Sequence, residues 1–365
     1  MVSIAFTGGG SGGHIYPGLA IITWLKKQNF SRIFWIGSNK EMDRVIVARA
    51  GIDFYGIPSG KLRRYFSLQN FVDIFRIAAG FFASLKILLK ERPALLFSKG
   101  GFASVPPCMA AKFMRIPVFT HESDFSPGLA TMINARFAEK IFIPYKESAS
   151  FFAKKIREKT CVSGNPVRPE FAGADPVKGR IFLGFGDRER VLLVLGGSQG
   201  SHEINTIIKA CLPELTKYYT VVHQTGDLGD EPQERIEHYE PYAFFHDEIP
   251  HVIAAAELVI CRSGANTIWE CKSLNKPMIL IPLRGSGTRG DQVENARLFE
   301  EAGAAVCLTN EKTDAALPEK LSALVASLAD DPDRRKAMGE AKIIESNAAS
   351  FIAGEIERRI GGGNE

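Results

Sequence analysis

The chain has 365 residues, 45% hydrophobic and 24% charged; that is longer than a single hydrophobic core usually grows, so two domains are expected. Its 45 basic and 41 acidic residues leave a formal charge of only +4, too mild to point to nucleic acid as a partner. Six cysteines with no CxxC pair argue against a zinc or dithiol motif and fit reduced, buried thiols.

The opening MVSIAFTGGG lacks a basic region followed by a long apolar run, so no signal peptide is expected. No uninterrupted apolar stretch reaches the roughly 18–20 residues of a membrane-crossing helix. A cytoplasmic chain is expected, unless something holds it on a membrane.

In chain order, the first predicted strand is Val2–Phe6. It runs into the glycine loop Gly8-Gly9-Gly10-Ser11-Gly12-Gly13-His14 and then a helix. Further strands are predicted at Arg32–Ile36, Ala94–Phe97, Pro117–Thr120, Lys140–Ile143 and Thr160–Val162, with helical patterns between most of them. A seam follows at Gly164-Asn165-Pro166-Val167-Arg168-Pro169, where two prolines and a glycine break both periodicities. A second series then begins: Val191–Leu195, Tyr219–His223, Glu257–Cys261, Pro277–Ile281 and Ala304–Leu308. Short strands rich in Val, Ile and Leu, separated by helices, indicate parallel sheets covered on both faces. The expected class is α/β, with two doubly wound domains.

Between Lys61 and Arg92, Leu68, Phe71, Val72, Phe75, Phe82, Leu85 and Leu89 recur at roughly helical spacing. Lys61, Arg63, Arg64, Arg76, Lys86, Lys90 and Arg92 edge or punctuate them. Two readings stay open: an interfacial helix on an anionic membrane surface, or a core helix with solvated charges. Phe71, Phe75, Phe82, Arg76 and Lys86 are the candidate membrane patch.

Val191–Leu195 runs into Gly196-Gly197-Ser198-Gln199-Gly200-Ser201-His202, an echo of the first strand and loop. Glycines let backbone N–H groups approach a ligand closely, and a helix N-terminus favours an anion. Gly8, Gly10 and Gly13 also satisfy G-x-G-x-x-G, a weak signal alone. A dinucleotide fold wants an acid at the end of the second strand. Here that strand ends Ile36-Gly37-Ser38-Asn39, and Glu41 and Asp43 fall later, on the next helix, which argues against a dehydrogenase. His14 sits where the loop becomes a helix. The dipole there disfavours the imidazolium, leaving a neutral base suited to a hydroxyl nucleophile. The plainer alternative is a histidine that caps the helix.

Further polar segments fall at the carboxyl ends of predicted strands: His121-Glu122-Ser123-Asp124, then Arg262 to Glu270, then Asp291 to Ala296. In open α/β sheets that edge is where ligands bind. The ordered segments GGGSGGHIYPGLA, SKGGFASVPP, HESD, SGNPVR, GGSQGSHEIN, HQTGD, CRSGANTIWE and DQVENA resemble glycosyltransferase family 28. The likeness is to its bacterial members that add N-acetylglucosamine to the lipid-linked muramyl-pentapeptide precursor of peptidoglycan. It spans essentially the whole chain, and the ordered set is far more specific than any one segment.

The resemblance implies a GT-B fold, two Rossmann-like domains facing a central cleft. Residues 1–164 would form the acceptor and membrane-side domain and 165–344 the UDP-sugar domain. A C-terminal helix at about 345–361 would pack back on the first. The implied partners are UDP-N-acetylglucosamine, lipid I (undecaprenyl-diphospho-N-acetylmuramyl-pentapeptide), an anionic membrane surface and other cell-wall and division proteins. No nucleic acid, cofactor or metal is implied. The location would be the cytoplasmic side of the bacterial plasma membrane, peripherally bound.

By the same resemblance, Gly197, Ser198 and Gln199 hold the donor diphosphate. Glu270 accepts from the ribose hydroxyls, and Ala265, Asn266 and Thr267 offer backbone donors. Arg168 and the backbone near His246 frame the uracil. Gln292, with Asp291, reaches the sugar hydroxyls. Ser11, Gly12, Gly13 and Asp124 approach the sugar and diphosphate from the other domain, and Gly9, Gly10, Gly101, Phe102 and His121 lie on the acceptor side. The implied reaction is inverting: a muramyl 4-hydroxyl attacks the anomeric carbon and UDP leaves. His14 is the first choice of base, with Glu122 or His121 in reserve; Glu122 equally suits the cap of a helix beginning near Ser126. The chain departs from the usual pattern at Phe102 (tyrosine), at Ser123 and Asp124 (glutamine and asparagine), and at Gly290 and Asp291 (aspartate and histidine). The competing readings are another lipid glycosyltransferase of this fold and a nucleotide-sugar epimerase.

Overall fold

The computed structural model describes residues 2–27, 30, 32–60, 69–197, 201–226, 236–282, 290–309, 316–343 and 347–361. Two compact units emerge: Met1–Arg168 with Ser346–Glu365, and Pro169–Glu345.

The first unit holds a 7-stranded sheet. Its strands are β1 (Ser3–Thr7), β2 (Arg32–Ser38), β3 (Asp53–Ile57), β4 (Leu95–Ser98), β5 (Val118–His121), β6 (Lys140–Ile143) and β7 (Thr160–Val162). They lie in the order β3-β2-β1-β4-β5-β6-β7, and every pairing is parallel. Both faces are covered, so the central strands are apolar throughout rather than alternating. One face packs Phe6, Trp35 and Phe97 beneath the helix Tyr16–Leu25 and the terminal helix Ala348–Gly361, through Ile21, Ile352 and Ile356. The other packs Phe34, Ile36 and Leu96 against Leu88, Cys108 and Ala111.

Helix Gln69–Glu91 lies on this second face and is inverted. Its protein-facing stripe is Asp73, Gly80, Ser84 and Leu88, all buried, whereas Phe71, Val72, Ile74, Phe75, Phe82 and Leu89 are exposed. The small residues permit close approach: a Cβ on Gly80 would lie 2.2 Å from the Pro58 carbonyl oxygen. Ser84 Oγ donates within the helix to Gly80 O at 2.7 Å.

The second unit repeats the plan. Its strands β8 (Val191–Leu195), β9 (Thr220–Gln224), β10 (Tyr239–Tyr242), β11 (Leu258–Cys261), β12 (Met278–Leu280) and β13 (Ala305–Cys307) form a 6-stranded sheet in the order β10-β9-β8-β11-β12-β13. All its pairs are parallel. In each sheet the strand order therefore reverses beside the first strand, the switch point at which open α/β sheets leave a crevice, here at the carboxyl ends of β1 and β8. The sequence pattern marks neither β3 nor β10. Both are edge strands, only partly buried, and they contain Gly56 and Pro241.

Candidate functional site

In the first unit, the carboxyl edge of the sheet gathers the loops after β1, β4 and β5. After β1, Gly9 (φ +155°) and Gly10 (φ +91°) turn the chain back under its own strand. Asp43, fully buried on helix Glu41–Arg49, accepts from Gly10 N at 3.0 Å through both carboxylate oxygens. Asp43 Oδ2 also accepts from Ser38 Oγ at 2.6 Å. Trp35 Nε1 donates to Gly8 O at 3.0 Å. The loop's own amide is thus held by an internal carboxylate, and a phosphate at that amide would meet like charge. This is the physical reason why G-x-G-x-x-G here does not make a dinucleotide loop. Asp43 is the support of this loop that the sequence pattern concealed. The distance between Gly10 and Asp43 along the chain hides it, although the acid's place just beyond the second strand was the available clue.

His14 ends a short turn, Gly12–His14, that leads into helix Tyr16–Leu25. Its ring packs on the loop after β4. A Cβ on Gly101 would lie 2.8 Å from His14 Cδ2 and 2.6 Å from Gly9 O, and Gly100 and Gly101 take φ of +81° and +77°. A Cβ on Gly10 would lie 2.3 Å from the Phe102 ring. The two loops therefore interlock, Phe102 over Gly10 and Gly101 under His14. Ser11 is exposed and Gly12, Gly13 and His14 are half-buried.

After β5 the charges are buried. Glu122 Oε1 accepts from Ser123 N at 2.8 Å and Asp124 N at 3.2 Å, and Oε2 accepts from Gly128 N at 3.0 Å, at the start of helix Leu129–Phe137. Burial pushes its carboxyl up, but the Lys99 ammonium, the Thr131 hydroxyl and these amides outweigh it and hold the group below the usual carboxylate range. Both Glu122 oxygens are thus engaged by backbone amides of the turn that precedes helix Leu129–Phe137, which begins later than the expected start near Ser126. His121 is fully buried. Its Nε2 faces Gly164 O at 3.0 Å, and burial, then the Lys99 charge, pull its pKa well below the ordinary value. It ties the strand edge and presents no surface to a ligand. Ser123 Oγ donates to Asn165 Oδ1 at 2.7 Å. Lys99 is buried too; desolvation lowers its pKa while Glu122 and Asp124 raise it. Asp124 is half-buried. The Arg168 guanidinium lies 5.0 Å from the Tyr16 ring centroid, within the first unit.

In the second unit, Gly197 (φ +96°) follows β8; Ser198 and Gln199 lie outside the described residues. Ser201 caps helix His202–Leu215 by accepting from Ile204 N at 3.2 Å, and it also accepts from Arg262 Nη2 at 2.8 Å. A guanidinium thus stands at the N-terminus of the helix beyond the glycine loop, on the side where an anion is favoured. Two further predicted segments are brought together: Ser263 Oγ donates to Gln292 O at 2.6 Å, and Asn295 Nδ2 donates to Ser263 O at 3.2 Å. The start of helix Ala265–Ser273, with Ala265, Asn266, Thr267 and Glu270, is thereby tied to the start of helix Asp291–Glu301, with Asp291 and Gln292. His246 is exposed, its ring 5.0 Å from that of Phe244. Among the described residues, no group of three or more His, Cys, Asp or Glu side chains is gathered as metal ligands would be.

Comparison with known proteins adds the following. The glycosyltransferase family 28 N-terminal domain matches residues 4–143, and the family's C-terminal domain matches residues 191–353. A protein of Treponema denticola named UDP-N-acetylglucosamine–N-acetylmuramyl-(pentapeptide) pyrophosphoryl-undecaprenol N-acetylglucosamine transferase is 47% identical over 331 residues, covering 85% of each chain. Among solved structures, Acinetobacter baumannii MurG has a TM-score of 0.73 at 21% identity, covering 98% of this chain and 100% of that one. A Neisseria meningitidis UDP-GlcNAc 2-epimerase bound to UDP-GlcNAc has a TM-score of 0.67 at 15% identity, covering 98% and 99%. At such identities the structures speak for the fold, two Rossmann-like domains of the GT-B type, and not for the reaction.

Proposed function

The chain belongs to glycosyltransferase family 28, and on that premise we propose that it transfers N-acetylglucosamine from UDP-N-acetylglucosamine to N-acetylmuramyl-pentapeptide carried on pyrophosphoryl-undecaprenol. The observation that carries this is the Treponema relative, 47% identical over 85% of both chains and named for that transfer.

The residue roles follow as part of the same reading. The second unit holds the donor: Gly197 with Ser198 and Gln199 at the diphosphate, Ala265–Thr267 and Glu270 at the phosphate and ribose, His246 at the base, Asp291 and Gln292 at the sugar. Arg262 adds a positive charge where the leaving UDP gathers its own. On the first unit, His14 takes the proton of the muramyl 4-hydroxyl as that oxygen attacks the anomeric carbon and UDP departs with the bonding pair. Asp43, Gly101 and Phe102 hold the loop that presents it. Glu122 and Lys99 shape the turn that carries Asp124.

The acceptor is a lipid, and the inverted helix Gln69–Glu91 suits that. Phe75 is 75% exposed, Phe82 64% and Phe113, from the neighbouring helix, 71%. Arg76, Lys86, Lys112 and Arg115 are exposed beside them. No helix among the described residues is long and apolar enough to cross a membrane. An apolar patch edged with basic side chains supports peripheral docking on an anionic bilayer. The test of the function is UDP release from UDP-N-acetylglucosamine with a short-chain lipid-linked muramyl-pentapeptide. Sound donor binding without release would overturn it, and isomerisation of UDP-N-acetylglucosamine without any acceptor would favour the epimerase alternative.

A further inference from the structure

We propose that Gln224 is a positioning residue that fixes the span between the diphosphate and nucleobase subsites of the second unit. The proposal rests on the reading of that unit as the holder of a nucleoside diphosphate.

Gln224 is the last residue of β9, the strand between β8 and β10. It is 5% exposed. Its carboxamide is bonded at both ends to segments that belong to different walls of the crevice. Nε2 donates to Gly197 O at 3.1 Å, in the glycine loop after β8. Oε1 accepts from Phe245 N at 3.2 Å, immediately before His246. One partner is an acceptor and the other a donor, so the orientation of the amide follows from its surroundings.

Regular pairing of β9 ends at this level, where Gln224 stands opposite Leu195 on one side and Tyr242 on the other. Toward β10 the backbone continues to pair, Thr225 N to Tyr242 O at 2.9 Å and Gly226 N to Ala243 O at 3.1 Å. Toward β8 the Gln224 side chain takes over. Asn205 reinforces the turn, donating from Nδ2 to Thr225 O at 2.8 Å. Gly197, at φ +96°, would otherwise be free to swing. Holding its carbonyl on an amide donor also keeps that oxygen's negative end off an incoming diphosphate. A neutral side chain that both donates and accepts at this reach is needed here: a carboxylate only accepts, an ammonium only donates.

The consequence concerns ligands that touch both subsites. UDP engages both at once, whereas uridine or pyrophosphate engages one. Calorimetric titration of the full chain with each of the three separates these cases. For Gln224→Met, of similar length but without hydrogen bonds, UDP is expected to bind about tenfold more weakly, the equivalent of one to two ordinary hydrogen bonds. Uridine and pyrophosphate are expected to change by less than about twofold, and KM for UDP-N-acetylglucosamine to rise about tenfold with kcat within about twofold. Gln224→Glu supplies a second readout. Protonated, its carboxyl again donates to Gly197 and accepts from Phe245, so its UDP affinity relative to the parent chain is expected to recover between pH 8 and pH 5.5. Unchanged UDP binding in Gln224→Met, a parallel fall for all three ligands, or a flat pH ratio for Gln224→Glu would each overturn the proposal. A parent chain that binds no UDP would instead overturn the functional reading beneath it.

Discussion

Gly101→Ala separates the placement of His14 from general stability. The added Cβ would stand 2.8 Å from His14 Cδ2 and 2.6 Å from the Gly9 carbonyl oxygen. Ordinary contacts begin at 3.4 Å, so the imidazole must retreat by about 0.6 Å, away from the position Gly101 now sets. The backbone at φ +77° adds strain of about 1–2 kcal/mol. Gly51→Ala is the matched control. Gly51 lies at φ +66° with nothing within 4 Å of its Cβ position, so it carries the strain without the contact. A misplacement of about 1 Å costs roughly 100-fold in rate, so Gly101→Ala is expected to lower kcat about 10- to 100-fold. Both variants should remain folded, with Gly101→Ala losing more stability in urea than Gly51→Ala because its Cβ also meets the Gly9 carbonyl oxygen. The assay is UDP release at saturating donor and acceptor, with UDP affinity measured alongside. Equal kcat for Gly101→Ala and Gly51→Ala would refute the argument that the interlocked loops place the histidine for catalysis.

His14→Gln should cut kcat by about 100- to 10,000-fold while leaving UDP affinity within about twofold, as loss of a general base does; a smaller fall in UDP release would remove His14 from that role. Asp43→Ala leaves a Gly10 amide without its acceptor and should cost about 1–3 kcal/mol in chemical denaturation, with kcat reduced as the loop loosens; unchanged stability would contradict the tie described above. His223, buried against Tyr239, has its pKa pulled by burial to about 4 from 6.5. The unfolded chain therefore takes up a proton first as pH falls. Stability is retained above about 6.5 and declines toward pH 4, by about 2 kcal/mol between pH 7 and pH 5 for this residue. Urea midpoints of His223→Gln should fall less steeply over that range than those of the parent, and parallel slopes would count against the assignment. Phe75→Ser with Phe82→Ser should weaken binding to vesicles containing anionic lipid more than tenfold, since burying each ring contributes about 1.5–3 kcal/mol. Turnover of a water-soluble acceptor should be unchanged; undiminished vesicle binding by the folded double variant would exclude this face as the docking surface.

The sequence by itself determined the repeated plan of strand, glycine loop and helix, because apolar runs and glycines act locally. Val191–Leu195 needs no distant partner to be legible as a buried strand, and the loops after β1 and β8 announce themselves by composition. The edge strands β3 and β10 were not legible, since a half-exposed strand with Gly56 or Pro241 has no local signature and exists only through its neighbour. Helix Gln69–Glu91 was ambiguous for the same reason. Periodicity defines its two faces, but which face meets the protein depends on what lies beneath, and Gly80 and Ser84 pack closest. The polar residues were the least decidable. Asp43 under the Gly10 amide and Gln224 spanning Gly197 and Phe245 are each defined by a partner far away in the chain, and Glu122 by how the turn just after it folds back onto its carboxylate. Sequence names the chemical group, but whether a carboxylate or carboxamide meets substrate or holds the backbone that does is settled by the donors and acceptors folding brings within hydrogen-bond reach.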